Sequence, residues 1–330
     1  MRFFKKHKNL FFFVFRLLIA ILLLKFLFTK VPFVQIKDSF FQISKPHLLG
    51  SLFIFLFMVM TCIYRWRILL VHSGIHLPFG KIAYPYFVGL FLNLVFPSII
   101  AGDLYRAMKV GTEVQDRAKV MASVVADRFS GYIALVLLVC SMFFFSIPFI
   151  KIEGKFVWVV FGLLVLLMFG FLYLLFSHRA RLKITSFTRR HPKMQGALHN
   201  FYETLASFRQ SPKLFAKVLG VSLVIQLSGP FIVYWLIKGL GSSAPFMPLA
   251  FLVSLINSLA MAPITIAGLG VREWSAKIFL NCIGISSKVA VSINFLVSFM
   301  YIAVGLLGGV FYGVALFIRW VQRNKETTSP

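Results

Sequence analysis

Two ten-residue stretches of the sequence carry residue types that proteins use to bind anions. Residues 97–106 read PSIIAGDLYR and residues 263–272 read PITIAGLGVR, so Pro, Ile, Ala, Gly and Arg coincide at five of the ten aligned positions. An asparagine precedes each proline, Asn93 in the first stretch and Asn257 in the second. The match predicts two copies of one structural unit.

The order of residue types in each copy predicts a break in a helix and the start of a new helix. Pro97 and Pro263 lack a backbone N–H and disfavour helix in the residue before them. Gly102, Gly268 and Gly270 permit a tight turn and a close approach of the backbone to another group. A helix that begins after such a turn presents free N–H groups and a positive potential.

Arg106 and Arg272 lie within the first two turns of these predicted helices. A guanidinium beside free amides suits phosphate, because arginine offers a planar set of donors. Two interpretations stay open: the arginines bind the anionic headgroup of a substrate, or they anchor the turns to lipid phosphate or an acid. The substrate-binding hypothesis includes Arg106, Arg272, Gly102, Asp103, Gly268, Gly270, Glu273, Asn93 and Asn257, with Pro97 and Pro263 as structural turn residues.

Acidic residues are scarce, nine in 330, and three of them lie near these stretches or near the next apolar block. Asp103 is placed to cap the new helix, and Glu273 to pair with Arg272 or with another helix. Asp127 adjoins Arg128 where the fourth apolar block begins, and we expect these two to pair locally. For proton-coupled transport, Asp103, Asp127 and Glu273 are the predicted carriers.

The sequence indicates no catalytic site. It has no paired carboxylates at fixed spacing and no Ser/His/acid arrangement within its apolar segments. His72 and His76 have helical metal spacing but lie in a short loop without a nearby carboxylate, and the three cysteines are widely spaced. We therefore expect no enzyme activity, no metal and no cofactor.

The composition excludes a soluble protein. Hydrophobic residues make up 59% of the chain, charged residues 13%, and the formal net charge is +26. In a membrane protein, such loop cations set the orientation and contact anionic lipid headgroups, so we expect membrane lipids as partners and no nucleic acid. Arg65-Trp66-Arg67 resembles an interfacial anchor of this kind.

Eight apolar blocks predict an all-α polytopic membrane protein. They are residues 9–29, 48–64, 82–101, 129–150, 156–177, 214–237, 246–267 and 289–318. The basic segment 178–213 between the fifth and sixth blocks has apolar residues at helical spacing, which predicts an amphipathic surface helix.

The distribution of Lys and Arg predicts that blocks 82–101 and 246–267 are re-entrant, entering and leaving on the same side. With both re-entrant and both termini cytoplasmic, the cytoplasmic loops hold 23 Lys and Arg and the external loops nine. Eight full crossings reverse the bias. The same two blocks carry the repeated motif, which predicts an inverted repeat. The predicted organisation is one transmembrane domain, 1–330, with repeats 1–150 and 151–318, a cytoplasmic loop 178–213 and a cytoplasmic tail 319–330.

Four motifs resemble the flippase-like family named after the transmembrane region of lysylphosphatidylglycerol synthases, the UPF0104 group. They are Arg65-Trp66-Arg67, the stretch 97–106, Asp127-Arg128 with Gly131, and Gly268-Leu269-Gly270-Val271-Arg272-Glu273. The chain departs from the family in having Ala101 and Ala267 where a second glycine is usual. The resemblance implies a bacterial inner-membrane protein without the aminoacyl-transferase domain, and in fused members this region is linked to moving a phospholipid between leaflets.

These observations predict a flippase that moves an anionic phospholipid or a polyprenyl-phosphate-linked lipid across the cytoplasmic membrane. Two alternatives stay open. The protein could be a non-transporting partner of a cell-envelope glycosyltransferase or assembly system, docking through the basic segment 178–213. It could also be a membrane-embedded lipid transferase, for which the sequence offers no nucleophile with a partnered base.

Overall fold

The computed structural model describes residues 42–96, 100–149, 157–163, 165–166, 211–261 and 268–328. The part of the chain that it describes is helical and contains no strand. The helices are Lys45–His72 (α1), Phe79–Val95 (α2), Ile100–Glu113 (α3), Arg117–Ser146 (α4), Pro212–Gly239 (α5), Phe246–Met261 (α6), Val271–Asn281 (α7) and Ser287–Thr328 (α8). The protein is thus an all-α membrane protein, as predicted.

Four of these helices are long and apolar enough to cross a membrane. They are α1, α4 with the 3₁₀ turn that extends it to Phe149, α5, and α8 as far as Ile318. A helix of 28 residues, such as α1, measures about 42 Å, whereas the hydrocarbon core is about 30 Å thick. The predicted first block, 9–29, most of block 156–177 and the amphipathic helix in 178–213 lie outside the described residues.

The two blocks predicted to be re-entrant form the short apolar helices α2 and α6. These have 17 and 16 residues, or about 25 Å each, which is less than the thickness of the hydrocarbon core. α2 ends at Val95, before the first predicted break, and α6 is described as far as Met261. That these two helices enter and leave the membrane on the same side stays a prediction. The two proline turn residues, Pro97 and Pro263, lie outside the described residues.

Local sequence explains where several helices begin. Asp116 caps α4, since its carboxylate accepts a hydrogen bond from the backbone N–H of Lys119 at 3.0 Å. α5 has a proline in its first turn, where the missing N–H costs nothing. α7 begins after Gly270, whose φ of +83° favours glycine, and Glu273 accepts a hydrogen bond from the Gly270 N–H.

The short helices pack in the same way in both halves of the chain. α2 packs against α3, which follows it, and against α8 of the other half, while α6 packs against α7 and against α4. α1 and α5 pack against each other. Each short helix therefore contacts a long helix of the other half of the chain.

Glycines bring α8 close to α2. A Cβ atom at Gly308 would lie 2.0 Å from the carbonyl oxygen of Phe87, and one at Gly309 would lie 2.8 Å from the Phe91 ring. Small residues allow the two helix backbones to approach closely. In a membrane this close van der Waals packing holds apolar helices together, because lipid tails are as apolar as the helix surfaces. This contact fixes α2, and with it the side chains that α2 contributes to the site.

Candidate anion-binding site

Arg106, from α3, lies at the centre of a buried charge cluster. Its Nη2 is 2.9 Å from Oδ2 of Asp127 and 3.1 Å from Oδ1 of Asp103. Its guanidinium lies over the rings of Trp66 and Tyr86, 4.8 and 5.2 Å from their centroids. Only 3% of Arg106 is exposed. The two rings and the two acids hold the guanidinium plane in one orientation.

Arg65, from α1, shares Asp127 with Arg106. Its Nε donates to Oδ1 of Asp127 at 2.8 Å, and its Nη1 donates to Oγ of Ser222 on α5 at 3.0 Å. A Cβ atom at Gly131 would lie 3.0 Å from Arg65 Nη1, so this glycine leaves room for the guanidinium. One carboxylate thus bridges α1, α3 and α4, and Arg65 extends the cluster to α5.

Two sequence predictions about this cluster are wrong. Arg65 and Trp66 are not an interfacial anchor: both are buried, and the indole N–H of Trp66 donates to Ser123. The apolar run continues after Arg67, and α1 continues with it to His72. Asp127 does not pair with Arg128, because both lie well inside α4, where neighbouring side chains point in different directions.

Asp103 pairs with Arg128 and does not cap a helix. Its two oxygens accept hydrogen bonds of 2.7 and 2.8 Å from Nε and Nη2 of Arg128. The predicted capping role is wrong because α3 begins at Ile100, before Gly102, which places Asp103 inside the first turn. A carboxylate there still interacts favourably with the helix dipole. Arg128 is partly exposed, so this pair forms the outer side of the cluster.

Asn93 and Gly102 lock α2 to α3. The backbone N–H of Gly102 donates to Oδ1 of Asn93 at 2.8 Å, which satisfies one of the free amides of the first turn. A Cβ atom at Gly102 would lie 2.1 Å from the carbonyl oxygen of Gly89. Asn93 and Gly102 therefore position Arg106 from outside the cluster, through the contact between α2 and α3.

The second copy of the motif has a different environment. The guanidinium of Arg272, at the start of α7, lies 4.6 Å from the centroid of the Tyr301 ring on α8, and Arg272 is 8% exposed. Glu273 accepts from the Gly270 N–H at 2.7 Å and from Oγ of Ser298 at 2.6 Å. Of the two predicted pairings, Glu273 makes the contact to another helix, α8.

Gly268 and Asn257 contribute space and polarity near Arg272. Gly268 has a φ of +76°, and a Cβ atom there would lie 3.0 Å from the Ala260 carbonyl oxygen at the end of α6. Asn257 lines a narrow cavity between α1, α5, α6 and α8 together with Asn294 and Tyr301. Tyr301 is therefore both a wall of this cavity and the ring beneath Arg272.

Both arginines keep hydrogen-bond donors without partners. Nε and Nη1 of Arg106 and Nε of Arg272 are buried, and none of them bonds to another atom of the described residues. A buried donor to which nothing binds is costly, more so when it is charged. These three nitrogens have no acceptor among the described residues, and an anionic oxygen would satisfy them.

The structure does not join the two arginines into one cluster. The guanidinium of Arg106 contacts α1, α2, α4 and Asp103 of its own helix, whereas the guanidinium of Arg272 lies on a ring of α8. Five site residues were missed by sequence reasoning: Arg65, Trp66, Tyr86, Ser222 and Ser298. For Arg65 and Trp66 a signal existed, because the apolar run continues beyond them. For Tyr86, Ser222 and Ser298 the local sequence carried no such signal.

Within the described residues, no three His, Cys, Asp or Glu side chains come together as metal ligands.

The fold and the site define a multi-pass helical membrane protein that buries one arginine with unpaired donors in each half. The chain belongs to the family described as the lysylphosphatidylglycerol synthase TM region, which matches residues 13–309. The resemblance seen in the motifs is thereby confirmed, and with it a lipid-related role in the membrane. The chain is also similar to a UPF0104 membrane protein of Pyrococcus horikoshii, at 22% identity over 293 residues, 78% of this chain and 85% of that protein. No solved structure matches the chain significantly.

Proposed function

We propose that this protein is a lipid transporter that moves a phosphate-bearing anionic lipid between the leaflets of the bacterial cytoplasmic membrane. The substrate class is an anionic phospholipid or a polyprenyl-phosphate-linked lipid. The observation that carries the proposal is the unpaired guanidinium donors, Nε and Nη1 of Arg106 and Nε of Arg272. Ionisable residues at membrane depth are costly and mark substrate pathways by default.

The arrangement of the helices supports movement rather than simple binding. Each arginine follows a short apolar helix, α2 or α6, and each short helix packs against a long helix of the other half. A displacement of one half relative to the other would therefore carry one arginine away from its present neighbours. Rocking of two repeats around a central site is how many secondary transporters alternate access.

Removal of either arginine tests the proposal. In proteoliposomes that contain a trace of fluorescent phosphatidylglycerol, we expect Arg106→Ala and Arg272→Ala each to slow lipid movement by about tenfold or more, because phosphate loses a charged donor. Arg117→Ala, which removes an exposed arginine at the start of α4, is the control and should match the wild type. Unchanged movement in both site variants, at equal protein levels, would refute the transporter.

Glu273 is the acid best placed to carry a proton. Asp103 and Asp127 are each paired with two arginines. The hydrogen-bond partners of Glu273 are instead neutral, a backbone N–H and the Ser298 hydroxyl. We propose that Glu273 is the coupling group if a proton gradient drives transport.

The corresponding experiment compares lipid movement with and without a pH gradient across the vesicle membrane. We expect Glu273→Gln to retain movement at equal pH and to lose the acceleration that the gradient gives the wild type. Glutamine keeps the size of the side chain and an acceptor for Ser298, so the effect reports the proton and not the packing. An acceleration of the same size in the variant would assign coupling to another group.

A further inference from the structure

The carboxylate of Asp103 lies between a buried arginine and an exposed one. Its Oδ1 is 2.8 Å from Nη2 of Arg128 and 3.1 Å from Nη2 of Arg106, and its Oδ2 accepts from Nε of Arg128 at 2.7 Å. The Arg106 side chain is 4% exposed, whereas that of Arg128 is 42% exposed. One carboxylate oxygen thus joins the two guanidinium groups.

This exposed ion pair lies at a level well inside the apolar part of the bundle. Gly102, in the same helical turn, lies against Gly89 of α2, and Phe87 of α2 lies against Gly308 of α8. Gly308 is about 15 Å along the helix from Ile318, where the apolar segment of α8 ends. A half-exposed arginine at such a depth is rare and costly, and it marks a candidate substrate pathway.

The exposure of Arg128 is local. Val124 and Gly131, on the same side of α4, are both buried. α3 begins at Ile100, so Asp103 belongs to its first turn, whereas α4 continues past Arg128 to Ser146. An opening therefore leads to the ion pair at the point where α3 begins. The first turn of α3 also presents backbone N–H groups and a positive potential to this opening.

The arginines offer more donors and more charge than the aspartates use. Nη1 of Arg106, on the same terminal edge of the guanidinium as Nη2, is buried and unpaired, and so is Nε. Three positive charges, on Arg65, Arg106 and Arg128, face two negative charges, on Asp103 and Asp127. A phosphodiester has one negative charge and, like a carboxylate, two terminal oxygens that arginine binds bidentately.

We propose that the lipid phosphate binds between Arg106 and Arg128, in competition with the carboxylate of Asp103. The carboxylate holds the two guanidinium groups in place when no lipid is bound, and it gives way to the phosphate. Asp103 is the aspartate able to leave, because its side chain is 16% exposed and that of Asp127 is 2% exposed. The inference rests on the proposed function and adds Arg128 to the phosphate-binding residues.

Two variants that break the same ion pair should have opposite effects. Arg128→Ala removes a charged phosphate donor, so we expect the detergent-purified protein to retain phosphatidylglycerol about tenfold less well. Asp103→Asn removes the competing charge and should raise retention about threefold or more. If the ion pair served only to fasten α3 to α4, both variants would change retention in the same direction.

Retention is measured by native mass spectrometry and by the rise in Tm that phosphatidylglycerol causes. The matched controls are Arg117→Ala on α4 and Glu113→Gln on α3, exposed residues of the same two helices, and both should keep the wild-type retention. The rise in Tm keeps the test decisive if Asp103→Asn does not fold. A merely structural Arg128 would lower the Tm and leave the rise unchanged, whereas a lost phosphate contact reduces the rise.

Inorganic phosphate is the second arm, and it distinguishes a lipid phosphate from the free ion. An excess of it should not displace phosphatidylglycerol, because the acyl chains add binding that free phosphate lacks. Complete displacement, with the same rise in Tm, would assign the position to free phosphate and overturn the lipid.

The outcomes also separate this inference from the transporter proposal. Retention that both variants lower, or that Arg128→Ala does not change, would overturn the inference, and the transporter would stand if Arg106→Ala and Arg272→Ala still slow lipid movement. If the wild type moves no lipid, the transporter fails, but opposite effects of Arg128→Ala and Asp103→Asn on retention would still support the phosphate site.

Discussion

Asp127→Asn should destabilise the protein more than any other single change in the site. The variant leaves Arg65 and Arg106 buried without their shared counter-ion, with side chains only 7% and 4% exposed. Breaking a buried ion pair by removing one partner costs about 3–5 kcal/mol. We expect a large drop in the Tm of the detergent-solubilised protein and a lower yield from the membrane.

Two comparisons make this result specific to the buried cluster. Glu113→Gln breaks the exposed ion pair with Lys81. Because an exposed ion pair stabilises the fold by about 1 kcal/mol or less, this variant should barely change the Tm. Asp127→Asn combined with Arg106→Met should recover part of the lost stability, because it removes one uncompensated charge. Equal Tm changes for Glu113→Gln and Asp127→Asn would mean that the cluster is not buried as described.

Gly308→Ala is the second change for which we expect a large effect. The new methyl would lie 2.0 Å from the Phe87 carbonyl oxygen, which is backbone and cannot rotate away. Either α2 and α8 separate or the helices bend, and overpacking of this kind costs about 1–3 kcal/mol. Because α2 carries Tyr86 and Asn93, the change should also lower lipid movement.

Gly313 is the matched control on the same helix. A Cβ atom there has no heavy atom within 4 Å, so Gly313→Ala should leave the Tm unchanged or raise it slightly, since alanine favours helix by about 1 kcal/mol over glycine. The two variants make the same chemical change five residues apart. If both lower the Tm equally, the contact between α2 and α8 does not have the geometry described above.

The two halves of the protein are alike in sequence motif but not in electrostatics. Arg106 shares Asp127 with Arg65 and contacts Asp103, whereas Arg272 lies on Tyr301 and has no carboxylate within ion-pair distance among the described residues. An anion that approaches Arg106 competes with two aspartates, and one that approaches Arg272 does not. We therefore expect Arg272→Ala to weaken phosphate binding more than Arg106→Ala, as measured by retention of phosphatidylglycerol.

The class of protein and the position of its apolar helices follow from the sequence, because burial of apolar side chains in lipid is a local property of each segment. α1, α5 and α8 each contain one of the predicted apolar blocks, and α4 with its 3₁₀ turn covers nearly all of a fourth. The two blocks singled out by the charge distribution form short helices. The α7 capping contact of Glu273 and the unusual φ of Gly268 and Gly270 are likewise local. Local sequence also identified Arg106 and Arg272, because each ends one copy of the repeated motif.

The partners of these residues were decided only by tertiary structure. Asp127 adjoins Arg128 in sequence, yet its carboxylate reaches Arg65, 62 residues earlier, and Arg106, 21 residues earlier. Asp103 reaches Arg128, 25 residues later, and Glu273 reaches Ser298, also 25 residues later. Neighbours on a helix point about 100° apart, so a buried charge finds its counter-ion on whichever helix packs against it. That choice depends on how the helices pack, which no local pattern in the sequence encodes.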